Sequence, residues 1–141
     1  MGLRRKSREL ALQFLYGHDF QGRSSDEQAV IAELDEFVAS FDSGEKALPY
    51  ARQVILGLCA HLPELDRLLA THAKNWRLER MTVVDRNVLR IAAYEMLYSD
   101  DVPAQVAINE ALEVAKRYST SDAVAFINGI LDALQSESSD E

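Results

Sequence analysis

The sequence predicts an all-α fold of seven helices. Three observations predict it. Apolar residues recur at helical spacing nearly everywhere, no run keeps the two-residue alternation of a half-buried strand, and the three prolines fall where helices begin rather than inside them.

The first segment, about 4–20, turns Leu10, Ala11, Phe14 and Leu15 to one face and ends near Gly22. A second follows Ser24 and Ser25, with Asp26 and Glu27 favourable in its first turn, and presents Val30, Leu34, Phe37, Val38 and Phe41 before Asp42-Ser43-Gly44 closes it. Pro49 suits the first turn of a third, carrying Val54, Ile55, Leu58 and Cys59, and Pro63 that of a short fourth to about Ala73. Thr82 and Asp85 have capping-box spacing, with Asp in place of the preferred Glu or Gln, and open a fifth to about Tyr98. Val88, Leu89, Ile91, Ala92, Ala93, Met96 and Leu97 cover most of its circumference, so it is expected at the centre. Asp100 to Pro103 break the chain and start a sixth, about 103–118. Ser119-Thr120-Ser121 cap a seventh, about 121–134, with Ala123, Ile127, Ile130, Leu131 and Leu134 inward. Residues 1–135 read as one domain and 136–141, without an apolar side chain, as a disordered acidic tail.

Length and composition agree. The chain has 141 residues, 48% hydrophobic and 27% charged, with six Gly and three Pro, which excludes collagen-like and linker-like chains. A chain of this size buries roughly 68–70% of its unfolded surface and needs no metal or disulfide staple. Single Cys59 cannot form an internal disulfide, no stretch matches a membrane span, and the start lacks the apolar segment of a signal peptide. A soluble protein of the reducing cytoplasm, without membrane contact, is expected.

The charge is unevenly placed. The net charge is −8, yet Arg4, Arg5, Lys6 and Arg8 occupy the first eight positions with no acid among them, leaving 11 basic against 23 acidic residues from Glu9 onward. A basic arm on an acidic body can hold phosphates at one end and a basic partner elsewhere. It also reads as a solvated terminus with no ligand.

Catalytic signatures are absent. His18, His61 and His72 have no metal-ligand spacing and Cys59 has no second thiol, so no metal or cofactor is expected; there is no Walker loop, dinucleotide fingerprint or nucleophile elbow. Cys59 reads as a small core residue. Binding, not enzymatic turnover, is the expected class of activity.

Two constellations suit binding. On a wheel of about 100° per residue, the first helix gathers Arg5, Lys6, Glu9, Gln13 and Tyr16 opposite its apolar face. Cations suit phosphate, an amide reaches base edges and a phenol ring stacks on an unpaired base, a combination that fits single-stranded RNA or DNA. Tyr16 rimming the core is the plainer reading. On the seventh helix, Asp122 and Phe126 lie four residues apart on one side, where a ring stacks on a base and a carboxylate accepts from its amino group; a core ring and a helix-terminal acid are the plainer reading. The fifth helix carries Asp85, Arg86 and Arg90 among apolar residues, and such charges need partners, for which Asn109 and Glu110 are the candidates.

Together these motifs resemble the NusB family of bacterial transcription antitermination factors. The resemblance runs through residues 4–13 (Arg4-Arg5-Lys6-Ser7-Arg8-Glu9 to Gln13) with Leu15-Tyr16, Val84-Asp85-Arg86-Asn87 to Ala92 with Tyr94-Glu95, and Asp101-Val102-Pro103. It continues through Val106 to Ala111, Ala115-Lys116-Arg117 and Phe126 to Asp132, in order and spacing over nearly the whole chain. It implies two small bundles meeting around a central helix. It also implies pairing with NusE, a small-subunit ribosomal protein, to bind boxA RNA and join other Nus factors on RNA polymerase, notably in ribosomal RNA operons. The implied RNA contacts are Arg4, Arg5, Lys6, Arg8, Gln13, Tyr16, Asp122 and Phe126; the implied NusE contacts are Glu79 and Asp85. Where relatives carry a basic pair between that Asp and Phe, this chain has Val124 and Ala125, which puts a phosphate contact there in question.

Four cationic contacts to single-stranded phosphates would give a salt slope of about −2.8, or roughly fiftyfold weakening from 50 to 200 mM salt. Such binding is weak without a partner, so positive coupling between RNA and NusE is expected. The alternatives are a helical interaction module or inactive homodimer with no direct RNA binding, and an enzyme, since similar domains are fused to RNA cytosine methyltransferases; a methyl-donor domain does not fit in 141 residues.

Overall fold

The computed structural model describes residues 2–21, 26–40, 46–73 and 77–139. Among them are α1 (Leu3–Phe20), α2 (Glu27–Ala39), α3 (Leu48–Ala60), α4 (Leu62–His72), a single 3-10 turn (Leu78–Arg80), α5 (Val83–Tyr98), α6 (Ala104–Tyr118) and α7 (Ser121–Ser139), with no strand among the described residues. Phe41, Gly22, Ser24, Ser25 and the Asp42-Ser43-Gly44 stop lie outside the described residues.

Local chemistry sets the starts. Asp26 is the cap of α2 rather than part of its first turn, its carboxylate accepting from the Ala29 amide at 3.4 Å. Thr82 accepts from the Asp85 amide at 3.1 Å, but the Asp85 carboxylate is occupied elsewhere, so only this half of the expected box forms as drawn. Thr120 caps α7 by accepting from the Ala123 amide at 3.1 Å. Pro49 and Pro63 stand in the first turns of α3 and α4, where a missing N–H has no helical acceptor to lose, and Pro103 stands one place before α6.

The helices form two bundles that share α5. α1, α2 and α3 pack together on one side, α4, α6 and α7 on the other, and α5 touches α1, α3, α4, α6 and α7. That position follows from its sequence, since every residue from Val88 to Glu95 is buried. The apolar faces read from periodicity are the core: Ala11, Phe14, Leu58, Leu89, Ile127 and Leu131 are each 2% exposed or less. Gly57 lets α3 and α5 approach closely, because a Cβ there would meet the Tyr94 hydroxyl oxygen at 2.2 Å.

The C-terminal end departs from expectation. α7 continues to Ser139, and Glu137 pairs with His72 of α4, so the helix extends past the expected boundary at 135. Apolar periodicity ends at Leu134, but the helical backbone continues, with a side-chain hydrogen bond between His72 and Glu137 across the bundle.

Candidate nucleic-acid interface

α1 carries the whole basic run, and packing sorts its cations by depth. Lys6 is exposed. Arg4 is exposed too, reaching Asp101 at 2.5 Å and lying 4.5 Å over the Tyr50 ring. Arg5 is half-buried and donates through Nε and Nη2 to the two Glu110 oxygens at 3.0 and 2.6 Å. Arg8 is 4% exposed: its Nε donates to both Glu95 oxygens at 2.8 and 2.9 Å and its Nη1 to Glu110 at 3.3 Å. This corrects the expectation that Arg8 meets RNA. Position 8 of the helix turns toward α5, and a guanidinium committed to two carboxylates in the interior offers no donor to a surface phosphate.

The Arg8 site is a closed network. Burial alone would lower the Arg8 guanidinium, but Glu95 outweighs it and holds the group above its ordinary value. Tyr50 donates its hydroxyl to Glu95 and is pushed up to about 12, first by burial and then by that carboxylate. Glu110 is held below the usual carboxylate range by Arg5, against burial. Sequence reasoning missed Glu95 and Tyr50 as members. The available signal was a lone acid inside the apolar run of the fifth helix.

Farther along α1, the side away from the core is open. Gln13 and Tyr16 are exposed, and with Glu9, Leu12, Val84 and Tyr118 they line a groove of about 240 Å³ between α1, the start of α5 and the end of α6. Glu9 binds Arg117 at 3.1 Å, and the Arg117 guanidinium lies 5.5 Å from the Tyr118 ring centre. Tyr118 was not among the expected contacts. Its signal in the sequence was weak, an aromatic at the last position of the helix, directly after Ala115-Lys116-Arg117.

At the α7 edge, Asp122 is exposed in the first turn, while Phe126 is half-buried against the core. Val124 also packs on the core and Ala125 is exposed, so neither stands in for the basic pair. The groove adjoins this edge through the chain, Tyr118 ending α6 just before Ser121 starts α7.

The expected partner contacts separate. Glu79 is exposed on the 3-10 turn. Asp85 is 5% exposed and accepts from the Ser119 hydroxyl at 2.5 Å, tying the start of α5 to the α6–α7 junction. This corrects its assignment to a partner surface: its carboxylate is turned inward. Arg86 and Arg90 find neither Asn109 nor Glu110. Arg90 forks onto Asp66 at 2.8 and 2.8 Å and reaches Asp19 at 3.0 Å, while Arg86 holds the same Asp19 oxygen at 2.8 Å. Burial would raise the Asp19 carboxyl, but Arg86, Arg90 and Asn87 hold it below its ordinary value. Asn109 accepts from Gln105 instead.

Other chemistry is quiet. Among the described residues no group of three or more His, Cys, Asp or Glu is placed to hold a metal, and burial pushes the Cys59 thiol up to about 11, far from a reactive thiolate. No described helix is long and apolar enough to cross a membrane.

The NusB family model matches residues 5–136. The chain belongs to the NusB family. It is 46% identical to the transcription antitermination protein NusB of Desulfosudis oleivorans over 97% of this chain and 88% of that one. With the namesake protein of Desulfotalea psychrophila it shares 43% over 96% of both. Among solved structures, T. maritima NusB superposes with a TM-score of 0.80 at 40% identity, covering 95% of this chain and 91% of that one. A chain from a crystal structure of antitermination factors NusB and NusE with double-stranded RNA has the same fold, with a TM-score of 0.76 at 24% identity, covering 93% and 94%. The two bundles around α5 are therefore the NusB fold, and its relatives carry a regulatory name rather than a catalytic one.

Proposed function

We propose that this protein is a non-catalytic, cytoplasmic antitermination factor that binds boxA-type single-stranded RNA along the exposed side of α1, together with NusE. One observation carries the reading: Lys6, Gln13 and Tyr16 stand exposed on a helix whose rotation is fixed by the buried Arg8–Glu95 pair. A phosphate-binding cation, an amide able to read a base edge and a ring able to stack are thus held on a rigid element. Arg4 and Arg5 extend the cationic end, Asp122 and Phe126 supply the α7 edge, and Glu79 on the acidic body is the NusE contact that remains accessible. The antitermination name of relatives at 43–46% identity supports the class of function.

With Arg8 internal, three cations remain and the salt slope falls to about −2.1, or roughly twentyfold weakening from 50 to 200 mM salt. Arg4 and Arg5 must also exchange Asp101 and Glu110 for phosphate. Affinity from the chain alone is therefore modest, and NusE adds surface without covering α1. Titrating boxA RNA and a scrambled control, with and without NusE, tests this. Tighter boxA binding in the presence of NusE is expected; equal affinity for both RNAs, or no effect of NusE, contradicts it. Light scattering in the same series tests whether a homodimer, rather than the heterodimer, is the species that meets RNA.

A further inference from the structure

The bundle of α1, α2 and α3 holds a second hollow, of about 360 Å³, that the RNA reading leaves unused. Leu10 of α1, Leu34 of α2 and Ile55 of α3 form its buried floor, and the half-buried Phe37, Val38 and Leu48 form its walls. It stays open because α2 packs along α3 but meets α1 at few points, among them the His18–Glu33 pair at 2.8 Å and the edge contact of Phe37 with Phe14. Partly exposed apolar walls around one concavity mark a contact surface more strongly than scattered apolar residues do.

Charge selects the occupant. From Asp26 to Glu45 the sequence places seven acidic residues and no basic one. On α2, Glu27, Ile31, Asp35 and Val38 follow one another at intervals of four, four and three, which sets two exposed carboxylates and two apolar side chains along one edge of the helix. That edge adjoins the hollow, since Val38 lines it and Asp35 reaches Arg52 on the α3 wall at 3.4 Å. Arg52 is the one cation of the lining, and Asp35 already engages it. An acidic partner would meet Glu27 and Asp35 with little to offset them. A segment with apolar side chains on one face and Lys or Arg beside them meets complementary groups in both the floor and the rim.

We propose that this hollow docks a basic amphipathic helix of a partner protein, its apolar stripe seated between Phe37, Val38 and Leu48 and its cations on Glu27 and Asp35. An exposed pair as long as Asp35–Arg52 contributes little, so Asp35 exchanges Arg52 for the partner's cation at small cost. The surface shares no residue with the α1 side that carries Lys6, Gln13 and Tyr16, nor with the turn that carries Glu79. The proposal therefore stands apart from the RNA reading.

The test is an NMR titration of the full chain with three synthetic peptides of about 18 residues. One carries Leu at i, i+3, i+4 and i+7 flanked by Lys, one keeps the Leu spacing with Glu in place of Lys, and one keeps Lys with Ser in place of Leu. The Leu/Lys peptide is expected to shift amides within 34–38 and 48–55 and to bind about tenfold tighter than the Leu/Glu peptide, while the Ser/Lys peptide leaves those amides unmoved. Glu27→Gln/Asp35→Asn should weaken the Leu/Lys peptide about fivefold and reduce its salt dependence, and Val38→Asp should abolish its binding. Thermal melting checks that Val38→Asp folds, and the double variant, altered only at exposed positions, keeps the test decisive if it does not. No binding of the Leu/Lys peptide, equal affinity for the Lys and Glu peptides, shifts centred away from α2 and α3, or full affinity in the double variant overturns the proposal. A dimer of the chain alone in sedimentation that Val38→Asp dissolves gives the hollow to a second copy and overturns it too. The double variant should bind boxA RNA as the wild type does, so either reading fails without the other.

Discussion

The two ends of α1 are fixed to α5 by charge networks of opposite polarity. Near its start, α1 supplies a buried cation, Arg8, to an acid of α5, Glu95. Near its end it supplies an acid, Asp19, to two cations of α5, Arg86 and Arg90. The first network is sealed, with side chains 5% and 1% exposed, while Asp19 keeps 25% exposure. The inverted arrangement specifies an antiparallel docking, since a reversed α1 would set Arg8 against Arg86 and Asp19 against Glu95. With both ends held, the side bearing Gln13 and Tyr16 must face out. A basic stretch that looks uniform in sequence is thus divided between scaffold and surface.

The largest expected effect lies in the sealed network. Glu95→Leu leaves Arg8 buried without its main partner and should cost about 3–5 kcal/mol in denaturant unfolding, much of it recovered in the Arg8→Met/Glu95→Leu double variant. A single-variant cost within error of zero would mean Arg8 reaches water and would dissolve the contrast between the two ends.

A purely steric contact on α5 gives the reference. Gly57→Ala drives a Cβ into the Tyr94 ring and should cost roughly 1–3 kcal/mol, independent of salt and pH. Strong salt dependence of that loss would implicate the charge networks instead.

The open network should respond more weakly and should titrate. Asp19→Asn, which leaves Arg90 its fork onto Asp66, should cost roughly 1–2 kcal/mol near neutral pH. Because the folded Asp19 carboxyl sits below its ordinary value of 3.8, its contribution is complete above that value and is lost as pH falls through the lower folded value. Urea unfolding from pH 6 to pH 2.5 should therefore show a steeper acid loss in the wild type than in Asp19→Asn. Parallel curves would contradict the assignment.

The smallest effect separates surface from scaffold among the cations. Lys6→Ala should weaken boxA binding severalfold and flatten the salt slope by about 0.7, whereas Arg8→Met, compared per folded molecule, should leave the slope unchanged. Equal slope changes would place both cations on RNA.

Much of this architecture was legible in the sequence, because helical periodicity, proline placement and capping residues act locally. The inward faces of α1, α3, α5 and α7 are where the apolar spacing put them, and α5 is central because its apolar residues surround it. Partner choice among charges was not legible, since it depends on which helices meet. Arg90 finds Asp66 and Asp19 rather than Asn109 or Glu110, and Glu110 serves Arg5 and Arg8 instead. Periodicity also cannot grade the depth of neighbouring cations. Arg5 and Arg8 are three residues apart on one helix, yet only Arg8 reaches the interior, because only its position faces Glu95. Tyr118 escaped notice for the same reason, since its groove exists only once α6 lies beside α1.

The most direct test of RNA lying along the outward side of α1 is photocrosslinking of boxA RNA in the NusE-bound complex, with the adducts mapped by peptide sequencing. Adducts within residues 4–16, at Tyr118 and in the first turns of α7 are the expected result. Adducts confined to α3, α4 or the turn that carries Glu79, with α1 unmarked, would contradict it.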